Sequence, residues 1–142
     1  MPPTRVLLAF PPVVADDLVD RLRAVSPELE ITVCSYAEPH ENRSARGNDP
    51  EAAAQLAAPV VTDEQRDALA TAEVVLALDL PVGVTELAPG LRWVQVIGAG
   101  VDHLRGVGLG EQVTVTNAAG VAAVPIAEFV IGRLLQVWKR FD

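Results

Sequence analysis

The sequence has few of the residues from which disulfides and metal sites are built. It contains one cysteine, Cys34, and two histidines, His40 and His103, in 142 residues. A lone cysteine cannot form an internal disulfide, so a reducing compartment is expected. Neither Cys-x-x-Cys nor His-x-x-x-His spacing occurs. The sequence therefore predicts no metal site.

Positive charge and aromatic side chains are also scarce. Lysine and arginine number 11 against 19 aspartates and glutamates, which gives a net charge of −8. Because such a chain cannot neutralise many phosphates, we expect no nucleic-acid partner. Only 4% of residues are aromatic although 50% are hydrophobic. A core of Val, Leu, Ala and Ile is typical of parallel strands covered by helices.

Long apolar segments are missing as well. The start Met-Pro-Pro-Thr-Arg is not followed by the apolar region of a signal peptide, so none is expected, and no apolar run reaches the length of a membrane span. The sequence therefore predicts a cytoplasmic protein with no membrane partner.

Five short aliphatic runs predict the strands of a buried sheet. They cover residues 5–10, 30–35, 73–78, 91–97 and 113–116. Helical patterns alternate with them, so the chain is expected to be an α/β protein with a flavodoxin-like, doubly wound parallel sheet of about five strands.

The connections between these strands carry helix and loop signals. Pro12 is predicted to open a first helix, whose apolar face would hold Val14, Leu18, Leu22 and Val25. A short alanine-rich helix is predicted after Asp49, and Thr62 with Gln65 predicts a capping box for the next helix. Residues 37–47 are polar and without pattern, which predicts a solvated loop.

The last segment predicts a long helix with apolar residues on more than one face. Pro125 is predicted at its first position and Glu128 in its first turn. Its apolar positions are Ile126, Phe129, Val130, Leu134, Val137, Trp138 and Phe141. One small domain cannot cover all of them, so we expect a homodimer or other self-association through residues 124–142, with Trp138 or Phe141 at the contact.

Two glycines follow the fourth predicted strand, in the run Gly-Ala-Gly-Val-Asp-His of residues 98–103. A dinucleotide fingerprint would need a third glycine where His103 stands, then a helix, but residues 104–110 are too rich in glycine for one. The glycines instead allow an unusual backbone conformation and let a ligand approach the main chain. Successive amides could then form a nest for a carboxylate. The alternative is a tight connection without a ligand.

Three features together resemble one enzyme family. They are Gly-Ala-Gly-Val-Asp-His-Leu at residues 98–104, Val-Thr-Asn ending at Asn117, and Ile-Ala-Glu at residues 126–128. The chain resembles the substrate-binding domain of the D-isomer-specific 2-hydroxyacid dehydrogenases, nearest to the glyoxylate/hydroxypyruvate reductase branch. The resemblance is close over residues 89–136 and loose over the rest.

This resemblance implies both an activity and a site. Residues 1–123 would form the substrate-binding domain and residues 124–142 an interdomain helix of an oxidoreductase that interconverts a 2-oxoacid and a D-2-hydroxyacid with NAD or NADP. The amides of Ala99 and Gly100 would hold the substrate carboxylate, and Asn117 would lie near the cleft. In the family the catalytic arginine, histidine and carboxylate and the nucleotide-binding domain lie elsewhere. We therefore expect no catalytic residue in this chain, no cofactor bound to this chain alone, and no activity of this chain alone.

A free-standing flavodoxin-like binding or signalling module is the alternative function. A receiver domain would need acidic residues after the first strand and a lysine after the fifth. Phe-Pro-Pro follows the first strand, and no lysine precedes Lys139. Asp79, after the third strand, is the one matching feature. An FMN-binding flavodoxin would need a hydroxyl-rich phosphate loop after the first strand, which is also missing.

Several other residues are assigned structural roles. Asp102 is predicted to bond the amides of its own turn, and His103 to cap or pack locally. His40 falls in the predicted solvated loop, and Trp93 is predicted to lie in the core. An asparagine after a strand is commonly a turn former, which is the structural interpretation of Asn117.

Overall fold

A computed structural model describes residues 2–10 and 17–140, which form a five-stranded parallel sheet. The strands are β1 Thr4–Ala9, β2 Leu29–Val33, β3 Val74–Ala77, β4 Trp93–Val96 and β5 Thr114–Thr116. Their order across the sheet is β2-β1-β3-β4-β5, and every neighbouring pair is parallel. This is the flavodoxin-like order, which confirms the predicted fold class.

Helices connect the strands, as the alternating pattern predicted. They are α1 Leu18–Arg23, α2 His40–Asn48, α3 Pro50–Ala53, α4 Asp63–Thr71, α5 Val84–Leu87 and α6 Ala123–Lys139, with a 3-10 turn at Asp102–Leu104. The predicted capping box is present at α4: Thr62 Oγ1 accepts from the Gln65 amide at 3.2 Å, and Gln65 Oε1 accepts from the Thr62 amide at 3.0 Å. Both bonds satisfy amides that a helix start leaves without partners.

The core lies on one face of the sheet. Alternate residues of the three central strands point to this face, because side chains alternate along a strand. They pack with Leu69 of α4 and Val84 of α5 in a single apolar cluster, in which the strand members are Leu7, Ala9, Val75, Ala77, Val94 and Val96. Leu8 points to the opposite face and is also fully buried.

Two apolar residues predicted to be buried are exposed. Trp93 is 43% exposed, and its Nε1 donates to Thr116 Oγ1 at 2.8 Å, so its prediction as a core residue is wrong. The reason is the strand's period of two, since Val94 and Val96 occupy the core face. Val25 lies beyond the end of α1 and is 76% exposed, so it does not extend that helix's apolar face. Pro12 and Val14 lie outside the described residues.

The start of α6 differs from the prediction. The helix begins at Ala123, so Pro125 is its third residue rather than its first, and Glu128 lies beyond the first turn. Pro125 costs no hydrogen bond there, because the first amides of a helix have no acceptor within it. The apolar side chains of α6 are exposed along its described length: Phe129 is 69% exposed and Trp138 82%. Phe141 lies outside the described residues.

In the part of the chain that the structure describes, no helix combines the length and the apolar character that crossing a membrane requires.

Candidate functional site

The loop that follows β4 is held by side-chain and backbone bonds from the end of β5. The Ala118 amide donates to the Gly98 carbonyl at 3.0 Å, and Asn117 Nδ2 donates to the Ala99 carbonyl at 2.7 Å. The amide of Ala119 donates in turn to Asn117 Oδ1 at 3.2 Å. The structure therefore places the three residues predicted for the site, Ala99, Gly100 and Asn117, side by side.

The amide groups of this loop are free to bind a ligand. Those of residues 98–101 donate to no acceptor among the described residues. They lie at the carboxyl end of β4, which is where open α/β sheets bind ligands. Consecutive unpaired amides form a partly positive surface that suits a carboxylate.

The glycines of the loop do not act through an unusual backbone conformation. Neither Gly98 nor Gly100 has φ in the left-handed region, so that part of the prediction is wrong. A Cβ on Gly100 would meet no atom within 4 Å. Gly100 is therefore not required by the packing around it, and its effect is to leave the main chain uncovered on the side of the open space.

The segment that follows β2 is a helix, although residues 37–47 were predicted to be a solvated loop. Helix α2 buries Asn42 and Arg46. It approaches the 3-10 turn closely, because a Cβ on Gly47 would lie 3.5 Å from Asp102 Cβ. Such a Cβ would make ordinary van der Waals contact, so α2 packs directly against the turn and forms a wall next to the glycine loop.

A buried ion-pair network holds α2 in place. Arg46 contacts Glu38 Oε2 at 2.5 Å through Nη1 and Asp79 Oδ1 at 2.8 Å through Nη2. Its Nε donates to the His103 carbonyl at 2.8 Å. The side chains of Glu38 and Asp79 are 0% exposed. Arg46 thus links the ends of β2 and β3 to the turn that follows the glycine loop.

Burial changes the protonation behaviour of this region. It raises the pKa of Asp79, an effect that the Leu80 amide and Arg46 partly offset. Burial also raises the pKa of Tyr36, whose hydroxyl donates to Glu38 Oε1 at 2.9 Å. The side chain of Asp79 is fully enclosed and its Oδ1 is paired with Arg46, so a phosphoryl donor cannot reach it. The one feature that matched a receiver domain is therefore part of the structural network.

A cleft of about 410 Å³ opens between α2 and the glycine loop. This volume lies in the range of small-molecule sites. Its walls are formed by His40, Arg43, Ser44, Gly47, Asn48, Leu78, Gly98, Gly100, Asp102 and His103. His40 is thus the first residue of α2 on the cleft wall, and not part of a loop as predicted.

Two of the residues that line the cleft have local partners. The ring Nε2 of His103 lies 2.8 Å from the Leu78 carbonyl, in line with its predicted packing role. Asp102 pairs with Arg105 at 2.7 Å, and no side-chain cap is formed on its own turn, so its predicted bonding to that turn's amides is wrong. Neither contact uses the amides of residues 98–101.

A second cavity of about 410 Å³ lies by Glu38, Asn42 and Arg46. The polar groups on its floor are already paired: Arg46 with Glu38, and Asn42 Nδ2 with the Ala57 carbonyl at 3.1 Å. These pairings leave few polar groups for a ligand there.

The glycine loop does not fit a dinucleotide. A pyrophosphate is bound at the amino end of an α-helix that follows the glycines directly. Here the loop leads into the short 3-10 turn Asp102–Leu104, and β5 follows. Residues 2–10 and 17–140 also hold no group of three or more His, Cys, Asp or Glu that could bind a metal.

Tyr36, Glu38, Arg43 and Arg46 were missed by the sequence predictions, which relied on apolar patterns. One signal was present: Glu38, Asn42 and Arg46 are spaced by four residues, so one side of a helix extended through them would carry all three. The loop was predicted because the segment is polar and has no apolar pattern, and polar residues at a spacing of four are usually solvated.

Comparison with known proteins gives similarity to solved structures only. No family model matches the chain, and neither does any curated protein sequence. The chain is similar to the crystal structure of a phosphoglycerate oxidoreductase from Rhizobium etli, with 19% identity and a TM-score of 0.48. The match covers 94% of this chain and 36% of that chain, so the chain spans about a third of that neighbour's length.

Proposed function

We propose that this chain is the substrate-binding part of an NAD(P)-dependent oxidoreductase that interconverts a 2-oxoacid and a D-2-hydroxyacid. The observation that carries the proposal is the run of unpaired amides at residues 98–101, of which Gly98 and Gly100 line a cleft at the carboxyl end of β4. The resemblance of residues 89–136 to the D-isomer-specific 2-hydroxyacid dehydrogenases supports it.

The contribution of this chain is to bind and orient the substrate. The amides of Ala99 and Gly100 donate charge-assisted hydrogen bonds to the substrate carboxylate. Asn117 acts as a positioning residue, because its bond to the Ala99 carbonyl sets the direction of the peptide plane that carries the Gly100 amide. A bound nicotinamide would supply the hydride, and residues of this loop do not hold it. We assign no catalytic residue in this chain.

The proposal extends to the assembly of the enzyme. The exposed apolar side chains of α6 would contact a nucleotide-binding domain, a second copy of the chain, or both. Burying each large apolar side chain is worth about 1.5–3 kcal/mol. Such contacts would account for apolar residues on more than one side of the helix.

Binding to the isolated chain tests the proposal. In an NMR titration with D-lactate, we expect the amide resonances of residues 98–101 to shift. Lactamide, which lacks the carboxylate, should leave them in place. Gly100→Val should weaken D-lactate binding by roughly one to two decades, since a charge-assisted hydrogen bond contributes about 1.5–3 kcal/mol.

Gly132→Val in α6 is the matched control. Gly132 also has open space around it and no left-handed φ, but it lies outside the cleft. We expect it to bind D-lactate as the unmodified chain does. Equal shifts with lactamide, or equal binding by the two valine variants, would contradict the proposed function.

A further inference from the structure

The cleft wall opposite the glycine loop carries Arg43, whose Nη groups donate no hydrogen bond to the described residues. The Nε atom of Arg43 is buried and has no hydrogen-bond partner among the described residues. The nearest acid is Asp79, whose Oδ2 lies 3.9 Å from that Nε and is likewise without a partner. This distance is too long for a hydrogen bond. The guanidinium of Arg43 is therefore ion-paired with Asp79 on its buried Nε side, and its two Nη groups remain to bind a ligand in the cleft.

The neighbouring carboxylates leave the Nη groups of Arg43 available, because its ion pair with Asp79 is made through Nε. Oδ1 of Asp79 accepts a hydrogen bond from Arg46 at 2.8 Å, and Asp102 is paired with Arg105. His40 and His103 also line the cleft and add no negative charge. The α2 side of the cleft thus offers a guanidinium, and the opposite side offers backbone amides.

We propose, on the basis of the proposed function, that Arg43 binds a second anionic group of the substrate. The substrate class is then a 2-oxoacid or D-2-hydroxyacid with a carboxylate or a phosphate at the end remote from the reacting carbon. The carboxylate next to the reacting carbon accepts hydrogen bonds from the amides of residues 98–101. The second anion accepts hydrogen bonds from the guanidinium of Arg43. The planar guanidinium suits both anions, because it can donate two parallel hydrogen bonds.

The specificity follows from the unused donors. An acid with an uncharged end makes no hydrogen bond to the Nη groups of Arg43, which are the donors that a ligand in the cleft can reach. An acid with a second anion pairs these donors. The cleft of about 410 Å³ has room for a small acid of this kind.

The test compares three D-2-hydroxyacids on the 142-residue chain by NMR titration at an ionic strength of about 0.15 M. D-Lactate has no second anion, D-malate has a second carboxylate, and D-glycerate phosphorylated on its terminal hydroxyl has a phosphate. We expect at least one of the two dianionic acids to bind about tenfold more tightly than D-lactate, which corresponds to about 1.4 kcal/mol. The two dianions distinguish a carboxylate site from a phosphate site.

Arg43→Gln should reduce this preference to near parity, because it weakens the binding of the dianionic acids more than that of D-lactate. Arg43→Lys keeps the charge without the planar fork and should retain part of the preference. Arg92→Gln is the matched control, because it removes one positive charge from an exposed pair with Glu73 outside the cleft. We expect Arg92→Gln to leave the preference intact. A thermal unfolding transition shows whether each variant is folded. If Arg43→Gln does not fold, the preference measured for Arg43→Lys is used instead.

The outcomes separate the two proposals. Equal affinities for all three acids, or a preference that persists in Arg43→Gln, would overturn the role of Arg43. The proposed function would then stand if D-lactate still shifts the amides of residues 98–101. If none of the acids shifts those amides, both proposals are wrong.

Discussion

Replacing Arg46 by methionine tests how strongly the buried network stabilises the fold. Methionine has a similar length but no charge, so Arg46→Met leaves Glu38 and Asp79 enclosed without their common partner. It also removes the bond to the His103 carbonyl. Removing one partner of a buried ion pair costs about 3–5 kcal/mol. At about 4 °C per kcal/mol, the midpoint of thermal unfolding should fall by roughly 12–20 °C.

The cost should also depend on pH. Burial raises the pKa of Asp79 above its ordinary value of 3.8, and removing Arg46 takes away a charge that opposes this shift. A raised carboxyl pKa means that the folded state binds more protons than the unfolded state, so stability falls as the pH rises above 3.8 toward the raised value. The deficit of Arg46→Met should therefore be larger near pH 7 than near about pH 4.

Urea unfolding at the two pH values measures both effects. Arg92→Met is the control, since its ion pair with Glu73 is largely exposed and should be worth less than about 1 kcal/mol. Adding Asp79→Asn to Arg46→Met should restore part of the stability, because it removes one of the two unpaired charges. The reasoning is refuted if Arg46→Met is no less stable than Arg92→Met, or if its deficit is the same at both pH values.

Four further predictions follow from other parts of the structure. Tyr36→Phe removes the hydroxyl that donates to buried Glu38 and should lower the free energy of unfolding by about 1–3 kcal/mol; an unchanged urea midpoint would show that water replaces the bond. In an enzyme containing this domain, Gly100→Val should raise KM and lower kcat/KM by roughly one to two decades, because the side chain would occupy the open space beside the amides; wild-type kinetics in the folded variant would mean that the loop is only a connector. The 142-residue chain alone should not reduce glyoxylate or hydroxypyruvate with NADH or NADPH, and rates above background would disprove this. The chain should self-associate through α6, and Leu134→Glu should weaken this association; a monomer by sedimentation at tens of micromolar, with Trp138 fluorescing as fully solvent-exposed, would contradict it.

The sheet and the position of the glycine loop could be predicted because both leave local signals. Short aliphatic runs such as residues 73–78 predict buried strands, and the observed β3, Val74–Ala77, lies within that run. The capping box of Thr62 and Gln65 involves residues three positions apart, so it can be read from the sequence alone. The resemblance of residues 98–104 predicted a substrate-binding loop after β4, and the amides of residues 98–101 in that loop are unpaired in the structure.

Helix α2 could not be predicted in this way, because its buried side is polar. Asn42 and Arg46 face the interior only because their partners, the Ala57 carbonyl, Glu38 and Asp79, are brought there from other parts of the chain. A search for apolar periodicity has no means of detecting such a helix. Arg43 was missed for the same reason, since its place on the cleft wall depends on α2.

The sequence by itself determined the α/β class, the approximate strands and the location of a glycine turn after β4. These features depend on the spacing of apolar side chains and on the residues that end a strand, which are local properties. Only the tertiary structure decided that Trp93 is exposed, that Gly100 needs no special φ, and that α2 closes one side of the cleft. Each of these depends on which groups meet across the fold, and the energies of buried charges and of close contacts arise only once distant segments have come together.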